Sequence, residues 1–344
     1  MDQENFRAAI RSSALSDVMR TMSSEEESQK LLAATRALPN EIWDAEAKKA
    51  GVPEEQWPLH RAMIRGEPNA FTDELDTVDG LFKSGDIILM TNPASMALVR
   101  GQQKLFYKQT RSSHVALIHA DFVCIDSMPG AGVTNRIVSE LLHPAGDDWR
   151  VIRCDRVTDT DAIMQACAYY LAQPYRVLPS KFSAKSYSYC SELARKVYVR
   201  CGVIDVGIPN DYVIAPAHFD MLADDAVGST YWQDVTESVR PAVEFCRKYE
   251  GLVNILVRLF IDGLQLNRKR YMQRTETLKQ IEKLERSGKL SKEKATEARV
   301  SIQALEGKMN HTFWDVRRRK AQASSFSNAE TSLELTPSQE STVA

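Results

Sequence analysis

The sequence predicts an α+β fold in which an antiparallel sheet and packed helices form a central domain, flanked by helical extensions on both sides. Three features lead there. Short apolar runs bounded by turn residues cluster between positions 85 and 153, helical periodicity dominates on either side of them, and no repeat of fixed period runs through the chain. A chain of 344 residues, 43% apolar and 26% charged, can bury a sizeable core.

Residues 1–78 read as a helical N-terminal extension. Ser23 followed by three glutamates suits a helix start, and Pro39, Pro53, Pro58 and Pro68 punctuate the rest. From Leu81 the texture changes to strands. Gly85 to Met90 is an apolar run ending at Asn92-Pro93, Val115 to Ile118 and Phe122 to Ile125 follow, and Trp149 to Arg153 is a fourth. Four strands this short imply an antiparallel sheet. Asp159 to Ala172 and Ser191 to Cys201 carry helical spacing, the second closed by Gly202. These elements define a domain over 79–236.

Beyond it, 237–320 reads as a helical region with a hairpin. Val243 to Leu266 is strongly apolar, Lys279 to Met309 is rich in Glu, Lys and Arg, and Ser287-Gly288 separates two arms. Residues 321–344 are dominated by Ser, Thr, Gln and Glu, the composition of a disordered tail.

Bulk properties exclude several function classes. Lys and Arg total 44 against 46 Asp and Glu, so no charge excess points to nucleic acid, and Arg317-Arg318-Arg319-Lys320 alone reads as a solvated helix end. The stretch Leu252 to Leu264 is interrupted by Arg258 and Asp262 and falls short of the roughly 20 apolar residues a bilayer requires. No transmembrane segment is expected, although Val253 to Ile261 would suit peripheral membrane contact or the inner face of a bundle. The start Met1-Asp2-Gln3-Glu4-Asn5 lacks a secretory signal, which leaves a cytoplasmic site of synthesis and, beyond that, export by a signal-free route. Six scattered cysteines form neither a disulfide framework nor a CxxC pair, and no HExxH or phosphate-binding glycine loop is present; no cofactor or metal is expected.

Chemistry concentrates at Cys190. It lies in Tyr187-Ser188-Tyr189-Cys190-Ser191-Glu192-Leu193, where a polar loop gives way to an amphipathic helix. A helix N-terminus favours thiolate over thiol and offers N–H groups to an oxyanion. Cysteine also packs as a small hydrophobe, and that reading suffices for the other five. His114 stands at the mouth of a strand in Ser112-Ser113-His114-Val115. If residues 119–121 form a three-residue hairpin loop, Asp126 faces His114 directly across the pair and orients its imidazole. Read blandly, Asp126 caps the turn at Ser127-Met128-Pro129-Gly130. Tyr189, Ser113 and Ser191 flank the pair as candidate oxyanion or substrate-binding residues.

Taken together, Ser84-Gly85-Asp86-Ile87-Ile88, Ser113-His114-Val115-Ala116, Tyr189-Cys190-Ser191-Glu192-Leu193 and Pro216 ahead of Phe219-Asp220 resemble the YiiX/YaeF group. That group is the permuted, papain-like branch of the NlpC-type superfamily and is related to lecithin-retinol acyltransferase. The resemblance spans about 80–225 and implies Cys190 as nucleophile, His114 as base and Asp126 as orienter, with the histidine strand ahead of the cysteine. Asp126 departs from the glutamate or histidine expected at the third position, which makes His119 a rival whose side chain should face the other way.

The expected activity is thioester acyl-enzyme chemistry on an amide or peptide bond, cell-wall peptide among them, or on a lipid acyl ester as in a phospholipase or acyltransferase. A different class of function keeps the domain as a dead scaffold for binding, with the C-terminal helices available to a protein partner. A hydrolase with helical additions and no signal also suits an antibacterial effector.

Overall fold

The computed structural model describes residue 30 and residues 33–91, 103–177, 187–210, 213–226 and 231–307. The expected helix start at Ser23, the tail at 321–344 and the basic run at Arg317 lie outside them. Two compact units are present, one ending at Gln273 and one beginning at Arg274.

The first unit opens with helices α1 (Asn40–Lys49), α2 (Trp57–Arg65) and α3 (Ala70–Val78). Asn69 starts α3 by accepting the Phe71 and Thr72 N–H groups, which satisfies two of the donors a helix start leaves unpaired. The sheet follows as β1 (Ile87–Met90), β2 (His114–Ala120), β3 (Val123–Met128), β4 (Gly132–Ile137) and β5 (Trp149–Cys154), with the short helix α4 (Val138–Leu142) between the last two. Helices α5 (Thr160–Tyr170), α6 (Cys190–Arg200) and α7 (Pro216–Asp224) precede β6 (Trp232–Asp234), and α8 (Thr236–Lys248) and α9 (Glu250–Arg286) come after it.

The six strands pair antiparallel throughout, in the order β4-β3-β2-β1-β5-β6. β4 and β6 are additional to the four strands read from sequence. β4 escaped because Thr134, Asn135 and Arg136 dilute its apolar content, and β6 because it is three residues long.

Every residue of β1 and β2 is buried, which explains why their sequences are continuous apolar runs and not alternations. Ile88, Met90, Ala116 and Ile118 join a core with Phe71, Leu75, Phe245, Tyr249 and Leu252. Their neighbours Ile87, Leu89, Val115 and Leu117 are equally buried and point the other way, where α5 and α6 pack on β2.

The flanking helices are part of the central core. The Phe71 ring from α3 stacks on Phe245 of α8 at 5.3 Å and meets Tyr249 edge-on at 5.2 Å, while Phe122 in the turn between β2 and β3 lies 5.6 Å from Phe245. The boundaries expected at 78/79 and 236/237 therefore do not separate compact bodies. Aromatic side chains from before and after the strand-rich segment fill one interior.

In the second unit, the last turns of α9 end at Arg286 and α10 (Lys292–Gly307) returns. Gly288, with φ of +70°, makes the turn that Ser287-Gly288 announces in sequence. Ile281 and Ala295 are buried, and Arg299 pairs with Glu285. No helix among the described residues is long and apolar enough to cross a membrane.

Candidate active site

Cys190 is the first residue of α6, preceded by Tyr189 in extended conformation (φ −116°, ψ 171°). The thiol thus sits among N–H groups that have no partner within the helix. Behind it, Leu193, Ala194 and Val197 are fully buried and hold the helix on the sheet.

His114 opens β2, and its Nε2 lies 3.0 Å from Asp126 Oδ2. The contact arises in a register other than the expected one. β2 runs on to Ala120, the hairpin turns through Asp121 and Phe122, and a bulge falls between Ile118 and Ala120. Inside the bulge Leu117 pairs with Ile125 and Ile118 with Cys124, so the same register carried onward sets Asp126 opposite Ala116, diagonal to His114. The shift is two residues, an even number, and so the carboxylate stays on the anticipated side.

The described β2–β3 partners stop at Leu117 and Ile125. Beyond that point the two strands frame the start of α6, and the Val115 N–H, no longer needed by β3, donates to the Cys190 sulfur. His114 hydrogen-bonds to the same sulfur. Asp126 is held from its other side by Arg136 Nε, 3.2 Å from Oδ1, and is fully enclosed.

The electrostatics follow from these contacts. Burial by itself would lower His114, but the Asp126 hydrogen bond and the hydrogen bond and charge of Cys190 reverse this and raise it to about 10. Burial would raise Cys190, yet the His114 hydrogen bond and charge, then Ser191 and the Val115 amide, bring the thiol below its ordinary value. Both effects favour a thiolate beside an imidazolium. Of the other cysteines, burial pushes Cys124, Cys154, Cys167, Cys201 and Cys246 upward.

The flanking candidates separate. Ser191 Oγ is 3.7 Å from Cys190 Sγ, beside the thiol. The Tyr189 hydroxyl accepts the Ile214 N–H at 3.0 Å, which makes this side chain an anchor for the segment entering α7; the contact does not support the expected oxyanion role. The Ser113 N–H is spent on Met90 O at 3.0 Å. His119 is fully buried away from this cluster, with Nδ1 2.9 Å from Asn135 Oδ1 and Nε2 3.1 Å from Met164 O, and burial lowers it to about 4.

Several residues support the site in ways the sequence did not assign them. Asp220 of α7 accepts from Thr110 Oγ1, the Arg111 and Ser112 N–H groups and Ser112 Oγ, and it pairs with Arg150 at 3.0 Å. This clamps the loop that delivers His114. Lys196 is 1% exposed, donates to Tyr187 O and to Ser188 Oγ, and so secures the approach to Cys190 from below. At helical spacing from Glu192, a lysine reads as one half of a solvated pair, and only packing reveals otherwise. Asp86, in the Gly-Asp motif, takes both Nε and Nη2 of Arg153 and serves as a strand clamp.

Among the described residues no group of three or more His, Cys, Asp or Glu side chains is placed to hold a metal ion. No family model and no curated protein matches the chain. A solved structure described as the metalloprotein YiiX (DUF1105) from Escherichia coli O157:H7 aligns at 18% identity and a TM-score of 0.31, over 46% of this chain and 92% of that one. The likeness to YiiX is thus a weak structural one, and the chemistry of the site rests on its own residues.

Proposed function

We propose that this chain is a cysteine hydrolase or acyl transferase of permuted papain-like design, acting through a thioester on Cys190. One observation carries the reading: His114 is held by the Asp126 carboxylate at 3.0 Å and hydrogen-bonds to a thiol at a helix N-terminus. The two reacting side chains retain some exposure, His114 8% and Cys190 9%, whereas Asp126 has none, as suits an orienting group behind an accessible pair.

In this reading the thiolate attacks a carbonyl carbon, the C–S bond forms, and the carbonyl electron pair moves to oxygen, where N–H groups at the start of α6 receive it. Collapse expels the amine or alcohol, which takes its proton from the His114 imidazolium. Neutral His114 then accepts a proton from water as it attacks the thioester, releasing the acid and restoring the thiolate. An alcohol or amine acceptor in place of water gives transfer. Asp126 keeps the imidazole oriented and its positive form stable, and Arg136, 3.2 Å from the other carboxylate oxygen, holds Asp126 in place.

The decisive experiment incubates wild type and Cys190→Ala with cell-wall peptide fragments and, separately, with mixed phospholipids, reading products by mass spectrometry. Products that depend on Cys190 support the reading and name the substrate as amide or lipid ester. Absence of product from both pools, together with a Cys190 that resists iodoacetamide, overturns it in favour of a binding scaffold.

A further inference from the structure

Acylation at Cys190 creates negative charge on the substrate oxygen, and one side chain outside the triad is built into the right neighbourhood. Residues 173–176 run beside 187–189 as a short extended pair: Tyr175 bridges Ser188 in parallel, Arg176 N–H donates to Ser188 O at 3.2 Å, and Ser188 N–H donates to Pro174 O at 3.1 Å. Paired residues share a side of the ladder, and Tyr189 is extended, so Ser188 and Cys190, two residues apart, project to that same side. Tyr175 therefore stands diagonal to Cys190 across the pair.

This segment is rigidly supported. Gln173 O accepts the Val133 N–H at 2.8 Å, Gln173 Oε1 accepts the Ser188 hydroxyl at 2.8 Å, and Ser127 Oγ donates to Ser188 O at 2.9 Å. By contrast, the Tyr175 hydroxyl has no hydrogen bond among the described residues, and the side chain is only half-buried. A phenol beside the nucleophile, fixed at its backbone and unpaired at its tip, is an available donor.

Resting on the acyl-transfer reading above, we propose that the Tyr175 hydroxyl donates a hydrogen bond to the oxyanion formed when the Cys190 thiolate attacks a substrate carbonyl, acting with the N–H groups at the start of α6. Burial and the nearby Cys190 and Tyr189 raise this phenol to about 12, so it stays protonated and able to donate over the whole working range.

The test separates acylation, which passes through an oxyanion, from alkylation, which does not. Wild type and Tyr175→Phe are reacted with p-nitrophenyl acetate, following nitrophenolate release and the acetyl group on Cys190 by mass, and in parallel with iodoacetamide. Losing one oxyanion donor is expected to slow acylation about 100-fold, with alkylation within about twofold of wild type. Acylation that stays near the wild-type rate overturns the proposal and leaves the acyl-transfer reading intact. A matched fall in both reactions also overturns it, since the residue would then act on the thiol or on folding; thermal melting of the variant identifies the second case. If wild-type Cys190 takes up no acyl group at all, the acyl-transfer reading fails and this proposal with it.

Discussion

Asp126→Asn isolates the electrostatic part of the site with minimal change of shape. Asp126 is fully buried, 3.0 Å from His114 Nε2 and 3.2 Å from Arg136 Nε. A hydrogen bond to a charged group contributes about 1.5–3 kcal/mol against about 0.5–1.5 for a neutral one, so the substitution removes on the order of 1–1.5 kcal/mol of support for the imidazolium. With about 1.4 kcal/mol per pKa unit, this is roughly one unit. His114 and Cys190 titrate as a pair, and weakening the imidazolium raises the lower apparent pKa at which the thiolate appears. The sign follows from Cys190 being depressed by His114: thiolate reactivity is present above that pKa and is lost as pH falls through it. Iodoacetamide rates at Cys190, measured across pH by mass spectrometry, should show the inflection moved up by about one unit, with roughly tenfold slower alkylation on the acid side. An unmoved inflection in a variant that melts cooperatively would refute the assignment of Asp126 as the group that sustains the ion pair.

Three further outcomes follow from supporting contacts. His119 is lowered to about 4 from an ordinary 6.5, so the folded state excludes a proton that the unfolded chain takes up, and stability falls as pH drops from 6.5 through 4; chemical denaturation should show that His119→Gln flattens this acid limb by a few kcal/mol at most, about 1.4 per unit. Asp220→Ala leaves Arg150 paired with Asp224 but strips the Thr110, Arg111 and Ser112 donors of their acceptor and frees the loop before His114, which should cost about 1–3 kcal/mol in urea unfolding and reduce Cys190 reactivity as well. Gly132 has φ of +72°, and a Cβ there would collide with the backbone oxygen of Gln173; Gly132→Ala should therefore destabilise by about 1–3 kcal/mol and slow ester acylation by displacing the segment that carries Tyr175.

The α+β character, four of the six strands, the helices that begin near Thr160 and at Cys190, and the turn at Gly288 were legible before any folding, because each of these is written in local periodicity or in a residue with a special backbone. The sequence also marked Cys190 and His114, one at a loop-to-helix junction and one at a strand start. Asp126 was placed on the correct side with an incorrect loop length, since a slip of two residues preserves the face of a strand and a slip of one does not. Contacts between residues far apart along the chain could be read only from the fold. Asp220 reaches Ser112 across 108 residues, Arg153 reaches Asp86 across 67, and helices from either side of the strand-rich segment share the aromatic core around Phe71 and Phe245. The buried position of Lys196 and the pairing of Tyr175 with Ser188 are of the same kind. A charged or phenolic side chain carries no local mark of whether packing will enclose it, because enclosure is set by the elements folded against it.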